Sequence, residues 1–210
     1  MGGETDATNL ITKPVCSVIT SISMDHMGFL GNTLEEIAAE KSGIIKKNFK
    51  VVSYDQNEDV RNVIEKKCAS ANAIITFADF SKITDISYNL TGTKFCYKSN
   101  RMEKLFHTDM LQNELDNFTF NTKLCLQTPL LGENQPKNAA VAVEVALSLK
   151  EAGYHISIEN IINGIASARW KGRLDIVNQN PLVFVDGAHN YDAALSLQIS
   201  AHLGSLSTIF

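Results

Sequence analysis

The chain has no apolar run near the roughly 20 residues that a membrane-spanning helix needs, and its first residues lack the basic-then-apolar order of a secretory signal. It has no basic surplus either: 19 Lys and Arg stand against 23 Asp and Glu, for a formal charge of −4 and a pI of 5.7. Nor do the cations gather into a stripe, which argues against nucleic acid as a partner. The four cysteines, Cys16, Cys68, Cys96 and Cys125, form no CxxC pair and none of the Cys/His spacings of structural zinc sites. They read as free thiols in a reducing compartment. The expectation is a soluble cytoplasmic protein that binds neither membrane nor nucleic acid.

What the chain does have is enough apolar material for a real core, 44% of 210 residues, arranged in an alternating rhythm. Residues 15–22 read as a buried strand, 33–42 as a helix opened by Asn32 or Thr33 and ending near Gly43, 49–53 as a strand, 57–71 as an amphipathic helix and 73–77 as a third strand. This is a βαβ pattern and predicts an α/β fold. From residue 83 to about 127 the helical period vanishes, and alternating stretches such as 86–90 and 118–121 predict a small antiparallel subdomain. Helical pattern returns over 138–152 and 157–168, followed by a buried strand over 182–185 and a helix from near Tyr191. The polar run Asn178-Gln179-Asn180-Pro181 after Gly172 marks a domain boundary, dividing the chain into residues 1–173 and 174–210.

Five places carry chemistry. Leu34, Ile37, Ala38 and Lys41 fall at i, i+3, i+4 and i+7, so a lysine stands in an apolar helix stripe. An apolar setting favours a neutral amine, the form that adds carbon dioxide, whereas a lysine at a helix end can also snorkel to water. Asp25-His26 follows the first strand, where α/β sheets hold ligands, although a lone loop histidine is more often structural. Asp186-Gly187-Ala188-His189-Asn190 follows the strand at 182–185 and suits either a ribose or an ordinary Asp turn. Leu131 to Asn138 forms a polar turn in which Asn138 can serve simply as a helix N-cap. Arg173 is either a surface ion-pair residue or a fork for a triphosphate.

In this order the motifs resemble the folylpolyglutamate synthase branch of the Mur ligase family. The matching stretches are Gly2-Gly3 with Asp6-Ala7-Thr8-Asn9, Ile19 to Ile22 with Asp25-His26, Leu30 to Ile44, Leu131 to Gln135 with Asn138-Ala139-Ala140, Trp170 to Leu174, and Asp186 to Asn190. The resemblance implies a central P-loop-like Mur ligase domain with the start of a Rossmann-like C-terminal domain. The implied enzyme is an ATP-dependent ligase, monomeric at full length, that adds L-glutamate to dihydropteroate or tetrahydrofolate through an acyl phosphate. It implies Mg²⁺ on His26 and on Lys41 carbamylated by carbon dioxide. Asn138, Arg173 and Asp186 would contact ATP, Thr5, Asp6 and Ala7 would line the substrate pocket, and Lys41 and His189 would be catalytic.

The family's glycine-rich phosphate loop is absent from these residues, and its other magnesium carboxylate would lie upstream of Met1. Met1 therefore reads as an internal methionine of a longer frame, and this chain alone as inactive. Glu4 stands where the family often has arginine, and Tyr191 where it has proline. A non-catalytic remnant of the fold and a Mur-type ligase for cell-wall precursors are the competing readings.

Overall fold

The computed structural model describes residues 3, 4, 6–24, 30–106, 123–189, 193–195 and 197. They form a mixed α/β structure with two compact units, Met1–Asp79 with Val141–His155, and Phe80–Ala140 with Ile156–Phe210.

The first unit is built on a three-stranded parallel sheet, β1 (Cys16–Ile19), β2 (Lys50–Ser53) and β3 (Ile74–Phe77), in that spatial order. Parallel neighbours need a crossover, and α1 (Leu34–Lys41) and α2 (Glu58–Ser70) supply the two connections. Both helices start where short polar side chains satisfy orphan N–H groups. Thr33 Oγ1 accepts the Glu36 N–H at 3.2 Å, Glu36 Oε2 accepts the Asn32 N–H at 2.7 Å, and Asn57 Oδ1 accepts the Val60 N–H at 3.0 Å. Glu35, Glu36, Glu58 and Asp59 sit in the first turns, where the helix dipole favours negative charge. The strand expected over 15–22 is shorter, because pairing with β2 covers only Cys16 to Ile19.

Ile19, Ala38, Ile45, Val51, Val60, Ile64 and Cys68 make the core of this unit. Each large aliphatic side chain buried there contributes about 1.5–3 kcal/mol.

The second unit carries the antiparallel sheet expected from the lost helical period. Its strands are β4 (Ile83–Asn89), β5 (Gly92–Tyr97) and β6 (Leu124–Thr128), in the order β4-β5-β6. Leu124, Leu126 and Thr128 point inward while Cys125 and Gln127 point out, the period of two that a one-sided sheet requires. The alternating stretch at 118–121 lies outside the described residues. A short helix, α3 (Met102–Phe106), follows β5, and α5 (Ile158–Ala166) packs against β6. A reciprocal capping box opens α5: Ser157 Oγ accepts the Asn160 N–H at 3.0 Å and Asn160 Oδ1 accepts the Ser157 N–H at 2.9 Å.

Three expectations need correction. The helix expected from Asn138, α4 (Gln135–Glu151), starts three residues earlier, with buried Pro136 in its first turn. Asn138 is thus inside the helix and not its cap; its N–H donates to Asn134 O at 2.9 Å. The segment read as an interruption after Arg173 contains β7 (Asp175–Gln179), which pairs antiparallel with β8 (Leu182–Val185). Finally, Cys96 and Cys125 are not free thiols. They stand directly opposite in the β5–β6 register with Cα atoms 4.0 Å apart and form a disulfide. The cysteines therefore do not argue for a reducing compartment. Among the described residues, no helix is long and apolar enough to cross a membrane.

Replacing Ile64, which has no solvent exposure, by alanine should destabilise the protein by about 2–5 kcal/mol, read as a lower midpoint in urea. Burial and the neighbouring Glu65 push the Cys68 thiol up to about 11. Since the thiolate is the reactive form, Cys68 should resist iodoacetamide at pH 8 in the native protein and react only near pH 11 or after unfolding. Half-buried Cys16 should be labelled readily under native conditions, and Cys96 and Cys125 only after reduction. Rapid native labelling of all four would contradict both the burial and the disulfide.

Candidate functional site

The described candidate residues fall in two places, one in each unit. In the first, Ile37 and Ala38 are fully buried and turn the end of α1 so that half-buried Lys41 is its last residue. The amine makes no hydrogen bond or ion pair to a described residue.

What reaches this helix end is the N-terminal segment, through glycines. The buried Gly3 donates its N–H to Glu40 O at 3.0 Å, satisfying one of the orphan carbonyls at the end of α1. A Cβ at Gly3 would lie 2.3 Å from Lys41 O, and one at Gly43 would lie 2.6 Å from Glu4 N. Only glycine permits either approach. Beyond them Asn9 ties the segment down, donating from Nδ2 to Glu4 O at 2.8 Å while its own carbonyl accepts from Lys46 Nζ at 3.0 Å. Half-buried Asp6 and exposed Ala7 are carried on the turn so formed, with Asp6 O accepting the Asn9 N–H at 2.9 Å. Among the described residues two buried polar atoms find no partner, Asn9 Oδ1 and Ser42 Oγ, and they belong to the two segments that these glycines join. Thr5 and His26 lie outside the described residues.

In the second unit β8 ends at Val185 and is followed directly by Asp186, whose carboxylate is engaged on both oxygens. Oδ1 accepts the Ala188 N–H at 2.8 Å, an Asx turn, and Oδ2 accepts the Leu174 N–H at 2.9 Å from the loop before β7. Gly187 N–H donates to Gly172 O at 2.8 Å, so two separate loops are stitched together. Arg173 lies between the stitched residues, exposed, and its guanidinium bonds to no described residue. His189 is held by a 2.9 Å contact from Nδ1 to Gly187 O. A carbonyl only accepts, so Nδ1 is the donor, and in the neutral imidazole the lone pair is then on Nε2. Asn138 is exposed in the first turn of α4, its Nδ2 donating to Gln135 Oε1 at 3.3 Å.

The structure thus brings together Arg173, Asp186 and His189, and separately Lys41, Asp6 and Ala7; Asn138 stands by itself. Gly3, Gly43 and Asn9 were missed as site builders from the sequence, although the Gly2-Gly3 pair before an Asp was a signal. A cation in an exposed loop, stitched to the turn that carries a histidine, is suited to holding phosphate oxygens and exchanging a proton. Among the described residues no three His, Cys, Asp or Glu side chains converge on a point that could hold a metal ion.

Residues 2–146 match the model of the Mur ligase middle domain. The chain is 35% identical over 199 residues to the dihydrofolate synthase/folylpolyglutamate synthase of Bacillus subtilis, covering 94% of this chain and 42% of that one. Against the folylpolyglutamate synthase of Lacticaseibacillus casei it is 32% identical over 195 residues, 91% of this chain and 41% of the relative. Among solved structures, an FPGS–AMPPCP–folate complex superposes with a TM-score of 0.81 at 29% identity, covering 96% of this chain and 45% of that chain. Mycobacterium tuberculosis folylpolyglutamate synthase complexed with ADP and AMPPCP gives 0.76 at 27% identity, over 96% and 42%. The chain spans less than half the length of these curated relatives.

Gly3→Ala should force the N-terminal segment off α1, since the clash is with backbone. The expected cost is about 1–3 kcal/mol, with faster protease cleavage within residues 4–10; an unchanged urea midpoint and cleavage pattern would refute the close packing.

Proposed function

This chain belongs to the Mur ligase family, and from that premise we propose that it is part of an ATP-dependent ligase joining L-glutamate to dihydropteroate or a tetrahydrofolate. The observation that carries the reading is exposed Arg173, held in its loop beside Asp186 and His189 with its guanidinium bonded to no described residue, a ready receptor for nucleotide phosphates. The relatives' names, and a solved complex holding AMPPCP and folate, support the same substrates.

In the proposed reaction a carboxylate oxygen of the pteroate or folate attacks the γ-phosphorus of ATP. The bond to the β–γ bridging oxygen breaks and ADP leaves, giving an acyl phosphate. Arg173 offsets the charge on the transferring group, which is worth most in a site that excludes water. The glutamate amine then attacks the acyl carbon, the tetrahedral intermediate collapses, inorganic phosphate departs and the amide remains. His189, whose Nδ1 is held by Gly187 O, is the residue we assign to take the proton released by the amine, at Nε2 of the neutral ring. Asn138 and the free lone-pair positions of Asp186 are assigned to the nucleotide, and Thr5, Asp6 and Ala7 to the pteridine-bearing substrate.

Magnesium belongs to this reading through His26 and through Lys41 once its amine has added carbon dioxide. The carbamate would replace the amine with paired oxygens, the ligands a hard dication takes. The reading further treats residues 1–173 as part of the central domain and 174–210 as the start of a second, in a monomeric cytoplasmic enzyme.

Phosphate release that depends on ATP, glutamate and dihydropteroate or tetrahydrofolate tests the activity in the protein carrying this sequence. Lys41→Ala should lower that rate by about 100-fold or more with far-UV circular dichroism unchanged. Wild-type rates in the variant would remove Lys41 from the chemistry, and the absence of release with either pteridine substrate would favour a non-catalytic member of the family.

A further inference from the structure

We propose that Asp175 is a positioning residue for Arg173, holding the loop around it in the conformation that presents the guanidinium to a phosphate group. The proposal rests on the reading of Arg173 as the phosphate-binding cation.

The backbone on both sides of Arg173 adopts the left-handed conformation, with φ of 71° at Gly172 and 48° at Leu174. A leucine in that region costs energy and persists only where its surroundings hold it. Three hydrogen bonds do so. Leu174 N–H donates to Asp186 Oδ2 at 2.9 Å, Gly172 O accepts the Gly187 N–H at 2.8 Å, and Gly172 N–H donates to Asp175 Oδ2 at 3.3 Å. Two of the three come from the turn after β8, and the third comes from Asp175, reaching back across Arg173 to the residue before it.

Asp175 can hold Gly172 because it is itself held. It is the first residue of β7 and pairs with Val185, the residue immediately before Asp186. One ladder position therefore sets both carboxylates, and between them they tie the residues flanking Arg173. An arginine on an untied loop would have to order its backbone and its long side chain together on binding phosphate. Here the backbone part of that ordering is already done, so the loss on binding is confined to the side chain.

The test is a double-mutant cycle on affinity for AMPPCP, measured by calorimetry, alongside the rate of tryptic cleavage after Arg173. Asp175→Ala should speed that cleavage and weaken AMPPCP binding, each by about tenfold, the size expected for losing a hydrogen bond to a charged group. Asp175→Asn keeps an acceptor oxygen and should stay within about threefold of wild type in both measurements. In an Arg173→Ala background, Asp175→Ala should weaken binding no further. Additive losses, or an Asn variant as impaired as the Ala variant, would overturn the proposal, the second by pointing to a through-space charge effect. Unchanged cleavage in Asp175→Ala would overturn it while leaving Arg173 as a phosphate ligand. Faster cleavage in Asp175→Ala together with an AMPPCP affinity that Arg173→Ala leaves unchanged would remove the phosphate reading of Arg173 and the positioning proposal with it.

Discussion

The burial of Ile37 and Ala38, the latter in one core with Ile19 and Val51 of the parallel sheet, is the constraint from which the first candidate site follows. With both side chains out of solvent, α1 cannot rotate about its axis, and the position of Lys41 at its end is set. A helix end exposes carbonyls that need donors, and the backbone of Gly3 provides one to Glu40. The approach is so close that side chains are excluded at Gly3 and at Gly43. Core packing, helix termination and the placement of Asp6 and Ala7 are thus one chain of consequences, beginning with apolar burial.

The second site depends on hydrogen bonding in place of burial. Each bond among Asp186, Leu174, Ala188, Gly187, Gly172 and Asp175 is worth about 1–2 kcal/mol net, and several are partly solvated. Their value is geometric: together they hold two loops in one arrangement around an exposed arginine and a histidine of defined tautomer. A cluster of this kind adds little to overall stability and much to preorganisation, as a site that must receive and release a charged ligand requires.

Much of this was legible beforehand, and for local reasons. The periodicity of Leu34, Ile37 and Ala38, and the caps Thr33 and Asn57, act within one or two turns of chain, so the sequence displays them directly. The misreadings are of two kinds. Asn138 was a plausible cap, but Pro136 two residues earlier already favoured the first turn of α4. The polar residues Asn178 and Gln179 resembled an irregular stretch, yet they belong to β7, a half-exposed hairpin strand whose outward positions are free to be polar.

By itself the sequence determined the alternation of strands and helices, the helix starts, the antiparallel middle segment and the ordered motifs that mark the family, because each depends on neighbours a few residues away. The tertiary structure alone decided the pairing of Cys96 with Cys125, the seat of Gly3 on the end of α1 and the tie from Asp186 to Leu174. These join residues 29, 37 and 12 positions apart, through strand register and packing that the fold creates. No local pattern encodes them, since a cysteine, a glycine or an aspartate looks the same in sequence whether or not a partner is folded against it.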